Sequence, residues 1–233
     1  MNTKNYYQEK LAAQQLVECY RIALPRIQQY LAAELSYVLE KIKPGDKVLD
    51  LGCGFGRVMP ELAQKAAAVL GIDNSSASLM LAREKIRAVP NCSLVQANAL
   101  HLSFKNHSFD VVICIQNGIS AFHVDQKQLI KESLRVTKHE GIVLFSSYAD
   151  KFRKHRLEWF RMQADAKLLG EIDYEKTRDG TIICKDGFTA TTVSPAQFLS
   201  ITSDLGVTAS IVEVDGSSIF CEANPNQGIE EKN

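Results

Sequence analysis

The sequence has no excess of charge of either sign. Its 27 Lys and Arg stand against 27 Asp and Glu, for a formal net charge of zero. Nucleic-acid binding normally leaves a basic footprint, and the global balance shows none. The one dense basic run is Lys151-Phe-Arg-Lys-His-Arg156. It reads first as a solvated helix start and second as a local contact for RNA or protein. No apolar run approaches the length of a membrane span, and the first ten residues carry no apolar signal core. The six cysteines, Cys19, Cys53, Cys92, Cys114, Cys184 and Cys221, contain no C-x-x-C pair of the metal or redox kind. A reduced, cytoplasmic protein without a membrane partner is therefore expected. Internal repeats and low-complexity segments are also missing. At 233 residues, one domain with additions can bury a sizeable core.

The most informative segment that is present runs Val48-Leu-Asp-Leu-Gly-Cys-Gly-Phe-Gly-Arg57, and the next apolar run ends at Asp73. An apolar strand enters a glycine-rich turn, where the backbone can turn sharply and leave room for a ligand. A helix with its positive dipole end at that turn is expected next. An acid at the tip of the second strand suits the two hydroxyls of a ribose. A dinucleotide fingerprint would place a third glycine at position 57, where Arg57 stands. The pattern is instead Asp50-x-Gly52-x-Gly54-x-Gly56.

That pattern resembles motif I of the class I S-adenosylmethionine-dependent methyltransferases, and the resemblance continues in order over residues 45–148. Asp73 resembles the ribose-binding acid of that family. Gln96-Ala-Asn98-Ala-Leu-His-Leu-Ser-Phe104 resembles its segment beside the adenine. Phe109–Ile115 resembles its fourth strand, and Glu132–Gly141 the helix and turn before its fifth. The resemblance implies S-adenosyl-L-methionine as cofactor and S-adenosyl-L-homocysteine as product. It also implies a cofactor site of Asp50, Gly52, Cys53, Gly54, Arg57, Asp73, Asn74, Asn98, Ala99, Gln116 and Asn117.

Periodicity outlines the rest. Residues 8–42 read as two helices broken near Pro25. Strands are expected at 47–51, 68–72, 93–97, 109–115 and 141–147. Helices are expected at about 56–68, from Ser75 or Ser76 to Arg87, and over 125–137. Residues 151–168 read as a helix, followed by a hairpin turning at Lys185-Asp186-Gly187. A helix from Pro195 and two strands, 207–214 and 218–223, complete the chain, with a loose tail from Asn224. The expected fold is α/β and Rossmann-like: a doubly wound, mostly parallel seven-stranded sheet whose last strand is antiparallel. Its organisation reads as a single domain over 1–233. N-terminal helices occupy 1–44, the cofactor-binding core 45–148, an α+β cap insertion 149–193, and a helix and hairpin 194–223. In the resembled family such insertions and N-terminal helices form a lid over the acceptor.

Each candidate has a plainer alternative. Asp73 is a ribose ligand or a helix cap before Asn74-Ser75-Ser76. Asn98 stands where the family often has Asp, and its carbonyl can accept from an adenine amino group. Arg57 reaches the cofactor carboxylate or lies on a helix surface. His123 is the best-placed histidine for a general base, although a surface position is the plainer reading. His123-x-Asp125 is too little for a metal pair, and no metal is expected. Tyr6-Tyr7 resembles aromatics that fold over the cofactor in some relatives. Trp159-Phe160 is core or pocket wall. Glu171, Asp173 and Glu175 form a solvated strand face or an acidic pocket. The segment after strand four, Gln116–His123, is not the Asn/Asp-Pro-Pro-Tyr/Phe signature of amino-methylating nucleic-acid and glutamine methyltransferases. Together these readings point to methyl transfer onto a small-molecule acceptor. A protein or tRNA acceptor, and a non-catalytic cofactor-binding protein, stand as alternatives. The sequence leaves the acceptor atom and oligomeric state open.

Overall fold

The computed structural model describes Tyr6 and residues 11–226. Two helices lead in, α1 (Gln14–Arg21) and α2 (Pro25–Lys41), and Pro25 stands in the first turn of α2. A proline is tolerated there because its missing N–H has no partner in the helix. Next come β1 (Lys47–Leu51), α3 (Met59–Ala63), β2 (Ala68–Asp73), α4 (Ser76–Lys85), β3 (Cys92–Gln96) and β4 (Phe109–Cys114). They are followed by α5 (Gly118–Ala121), α6 (Gln126–Val136) and β5 (Thr137–Tyr148). Then come α7 (Arg153–Asp165), β6 (Ile182–Ile183), β7 (Thr189–Ala190), α8 (Pro195–Asp204), β8 (Ala209–Val214) and β9 (Ser218–Ala223).

Seven strands form one sheet in the order β3-β2-β1-β4-β5-β9-β8. β1 to β5 pair in parallel with one another, and β9 runs antiparallel to both its neighbours, β5 and the edge strand β8. The order reverses direction beside β1, between β1 and β4, and ligands lie beyond the strand ends at such a point. Successive residues of a strand face opposite sides, so one sheet feeds two cores. Val48, Val111 and Leu144 pack with Val38, Met59 and Leu62 on one face. Leu49, Val112 and Phe145 pack with Ile130, Leu134 and Phe198 on the other.

Three elements differ from the sequence expectation. The helix expected over 56–68 is only Met59–Ala63. The chain leaves it early because the Ala67 and Ala68 N–H groups turn to Asp46 O, at 2.9 and 3.3 Å, ahead of β2. The turn expected before the fifth strand is absorbed into β5, where the register to β4 shifts between Phe109 and Val111. Residues 171–175 do not form a strand face. Glu171 pairs with Lys185 at 2.9 Å and Asp173 with Lys176 at 3.0 Å, so no acidic pocket forms. Of the tail, Asn226 is held by hydrogen bonds to His139 (2.8 Å) and Glu140 (3.2 Å), and residues 227–233 lie outside the described ones.

Above the strand ends, α7 and the β6–β7 hairpin pack on the leading helices around cores of their own. The basic run that opens α7 is not uniformly solvated. Lys151 pairs with Glu213 at 2.7 Å, and Arg156 is 2% exposed. Arg156 donates to Gly180 O at 2.6 Å and Ala190 O at 2.8 Å, and its guanidinium lies 4.8 Å from the Tyr148 ring centroid. It therefore ties helix, hairpin and β5 together. Arg156→Met keeps the stem and removes the donors, leaving buried carbonyls unpaired. A loss of about 2–4 kcal/mol is expected, read from urea midpoints. A midpoint unchanged from wild type would show that packing alone holds the hairpin.

Candidate cofactor and acceptor site

β1 delivers the chain to Gly52, whose φ is +74°. A Cβ there would stand 2.4 Å from the Phe122 ring, so both conformation and space require glycine. The loop is fastened to the end of β2. Gly52 N and Cys53 N donate to Ile72 O at 2.8 and 2.9 Å. Gly54 N donates to Asp73 Oδ2 at 2.9 Å, and Ser75 N donates to Asp73 Oδ1 at 2.8 Å. Asp73 thus holds the glycine loop and the entry to α4 together, while Ser75 Oγ caps that helix by accepting from Ser78 N at 3.2 Å. A carboxylate has about four lone-pair sites. The Asn74 backbone also bonds to that of Asp73, and the acceptor capacity left over can serve a ribose hydroxyl, so the capping and ribose readings of Asp73 are compatible.

Three compartments meet at this loop. The first, about 70 Å³, is lined by Asp73, Asn74, Asn98, Ala99, Phe122 and Val124 among others. Its lining mixes apolar side chains, Ile72, Leu100, Phe122 and Val124, with the polar Asn74 and Asn98. Asn98 Oδ1 accepts from Leu100 N at 2.9 Å, a local turn bond that fixes the amide at the rim. The second, about 180 Å³, runs from Gly52, Gly54 and Asp73 past Tyr20 and Gln116 to Tyr148, Trp159, Phe160 and Gln163. The third, about 50 Å³, lies over Asp50, Cys53, Arg57 and Gln116. The Phe122 ring borders the first two.

The side chains behind the third compartment form a charged cluster. Asp50 is buried, and burial raises its pKa to about 7 despite nearby Arg57. Glu34, from α2, is fully buried and is likewise pushed up to about 7 by burial, with Ser146 and Arg57 pulling it back down. Glu34 Oε2 accepts from Gln116 N at 3.1 Å. The Arg57 guanidinium lies 5.2 Å from the Tyr20 ring centroid. Gln116 sits between them, its amide nitrogen toward the Tyr20 hydroxyl and its oxygen toward Arg57. Arg57 is therefore not a helix-surface residue. Gln116 and Asn117 both have left-handed backbones, with φ of 56° and 61°, a conformation that Asn tolerates and that is costly for Gln. Glu34 holds the first. Asn117 is held by its own amide, which accepts from Ser147 Oγ at 2.8 Å and donates to Thr191 O at 2.9 Å.

Ten of the eleven residues expected at the cofactor therefore line these compartments. Asn117 does not, because its amide is committed to β5 and the cap. His123 also lies outside all three. It interacts with the Thr189 backbone, and burial lowers its pKa. Asp125, its neighbour in the sequence, caps α6 by accepting from Gln128 N at 2.9 Å. Tyr6 does not fold over the loop. Its hydroxyl donates to Asp186 Oδ2 at 2.7 Å and its ring packs on Phe188; Tyr7 lies outside the described residues. The loop precedes a helix of only five residues, so the expected dipole gives way to backbone bonds. Glu34, Tyr20 and Gln163 were missed. For Glu34 a signal exists: it stands in the stripe Ile27, Leu31, Val38 at helical spacing, an acid on an apolar face.

Asp50 and Glu34 have folded pKa values above their ordinary ones of 3.8 and 4.5. The native state thus retains protons that the unfolded chain releases. The stability so contributed is complete below the ordinary carboxylate range and is lost as pH rises through about 7. Glu34→Gln removes one such group. The variant is expected to gain in Tm relative to wild type as pH rises from about 5 to about 8. A difference that stays constant over that range would show that Glu34 is held ionised.

Residues 48–141 match the family model described as a methyltransferase domain. An uncharacterized protein of Methanocaldococcus jannaschii is 34% identical over 146 residues, 63% of this chain and 51% of that protein. A demethylmenaquinone methyltransferase of Lactobacillus johnsonii is 37% identical over 110 residues, 44% of each chain. The chain thus spans about half or less of the length of these curated relatives. The crystal structure of the PH0226 protein from Pyrococcus horikoshii superposes with a TM-score of 0.65 at 22% identity, over 94% of this chain and 98% of that one. That likeness is one of fold. The glycine loop bound to Asp73, the reversal of strand order beside it and the matching domain model agree: residues 48–141 are similar to a methyltransferase domain and carry its fold.

Proposed function

We propose that this protein transfers a methyl group from S-adenosyl-L-methionine to a small-molecule acceptor. The observation that carries the reading is the unbroken cavity from the glycine loop and Asp73 to the rings of Trp159 and Phe160. One end suits the cofactor, and the other is closed over by the cap. When bound, the cofactor supplies an electrophilic methyl group that leaves its sulfonium sulfur in an in-line displacement. The protein's task is then position and exclusion of water.

The residues fit that task. Asp73 offers its spare lone pairs to the ribose. Asn98, Ala99, Phe122 and Val124 enclose the adenine. Gln116, with Arg57 and Asp50 behind it, receives the methionine end. Trp159, Phe160 and Tyr148 keep the reacting centre dry. In this reading Tyr6, residues 11–30 and residues 149–193 form the cap, and residues 45–148 with 194–223 form the domain beneath it. The matches to methyltransferases of cycloartenol, demethylmenaquinone and ubiquinone biosynthesis, each over a third to a half of the relative's length, support an acceptor that is a small molecule and not a macromolecule. The burial of Arg156 and the pairing of Lys151 leave less of the basic run for RNA or protein. No helix among the described residues is long and apolar enough to cross a membrane. Six free thiols suit a cytoplasmic setting.

Calorimetry should show adenosylhomocysteine binding and no comparable binding of NAD. Labelled methyl offered to total RNA, total protein and a metabolite extract should appear in the metabolite fraction. Label confined to RNA or protein would overturn the small-molecule reading. Asp73→Ala should weaken adenosylhomocysteine binding by about 1.5–3 kcal/mol, roughly 10- to 150-fold. Asp73→Asn, which keeps one carbonyl acceptor, should lose less. Equal affinity in all three proteins would reduce Asp73 to a loop fastener.

A further inference from the structure

We infer that Gln163 is the residue that recognises the methyl acceptor, and that the acceptor is an uncharged planar ring bearing a hydroxyl, carbonyl or ring N–H. The inference rests on the methyltransferase reading and names the substrate class of the same cavity.

Four residues of α7, Arg156, Trp159, Phe160 and Gln163, are buried on one helix face. The first three are committed. Arg156 binds two carbonyls, the Trp159 indole donates to Cys19 O at 3.0 Å, and Phe160 packs on Phe188. Gln163 is 3% exposed, yet its amide has no hydrogen-bond partner among the described residues. It forms part of the cavity wall instead. The amide is not among the fully enclosed, unsatisfied groups of the described residues, so it opens onto the cavity. The same amide satisfied by a ligand gives recognition, because it offers a donor and an acceptor side by side.

The charge of the ligand follows from its surroundings. Trp159, Phe160, Tyr148 and Tyr20 give flat walls at this end. Cation–π attraction for an ammonium is already countered there. The Arg57 guanidinium lies 5.2 Å from the Tyr20 ring, and Arg156 lies 4.8 Å from Tyr148 and 5.4 Å from Phe160. Two positive charges behind the walls oppose a third between them. An anion lacks a partner as well, since no Lys, Arg or His is among the described residues lining the cavity. Its one acid, Asp73, lies at the loop end, bound to backbone N–H groups. The space, about 180 Å³ including the part beside the glycine loop, suits one ring or two fused rings.

The test uses the full-length protein saturated with adenosylhomocysteine. Phenol and 2-hydroxypyridine are titrated beside toluene, benzoate and benzyltrimethylammonium, with binding read by calorimetry and ligand-observed NMR. Phenol and 2-hydroxypyridine should bind at least about tenfold more tightly than toluene, because an unpaired buried amide penalises the ligand that cannot bond to it. Gln163→Leu should abolish that preference while toluene and adenosylhomocysteine bind as in wild type. Gln163→Met serves the same purpose if the leucine variant melts early. Adenosylhomocysteine that fails to bind the wild type overturns the methyltransferase reading, and this inference with it. If it binds, the inference alone is overturned by tightest binding of benzoate or the ammonium probe, by no binding of the neutral probes, or by a preference that survives both substitutions.

Discussion

One carboxylate holds two turns of opposite origin. Asp73 ends β2, yet its oxygens accept from Gly54 in the loop after β1 and from Ser75 at the start of α4. Without those bonds the glycine loop would keep its freedom and lose its shape, since glycine pays the largest entropy on ordering. With them the loop lies against the end of β2, and Gly52 can approach Phe122 closely. All three compartments take their border from this arrangement. Binding and folding therefore share a residue.

A second carboxyl does comparable work from the other side of the sheet. Glu34 comes from the leading helix, outside the alternating core, and meets the backbone of Gln116 just past β4. The left-handed pair Gln116-Asn117 places one side chain in the site and the next against β5 and the cap. Strain of this kind persists when the surroundings over-determine it. Here the helix, the fifth strand and the cap each supply a constraint. The cap is thus joined to the strand ends through Asn117, which bonds to both Ser147 and Thr191.

The sheet was legible because its strands are mostly apolar runs between turn residues, and most of them alternate with helices, as a parallel sheet requires. The glycine loop and Asp73 were legible because the chemistry lies within a few consecutive residues. Glu34, Tyr20 and Gln163 were not, because each reaches the site from a separate element and only tertiary packing brings it there. Asn117 bonds away from the compartments for a related reason. Its position beside Gln116 suggested a shared task, but successive residues there point in different directions. The helix after the glycine loop ended early because Ala67 and Ala68 bond to Asp46, a contact across twenty residues that periodicity does not register.

Trp159 is the sole tryptophan of the chain, and it stands in the wall of the larger cavity with its indole bonded to Cys19 O. Tyr20 lies 5.9 Å away, ring centre to ring centre. Tryptophan emission from this protein therefore originates at one point, the junction of cap, leading helix and site. Its colour reports the polarity of that chamber and its intensity reports what the chamber holds. The molecule carries its own optical gauge of occupancy, without any attached dye.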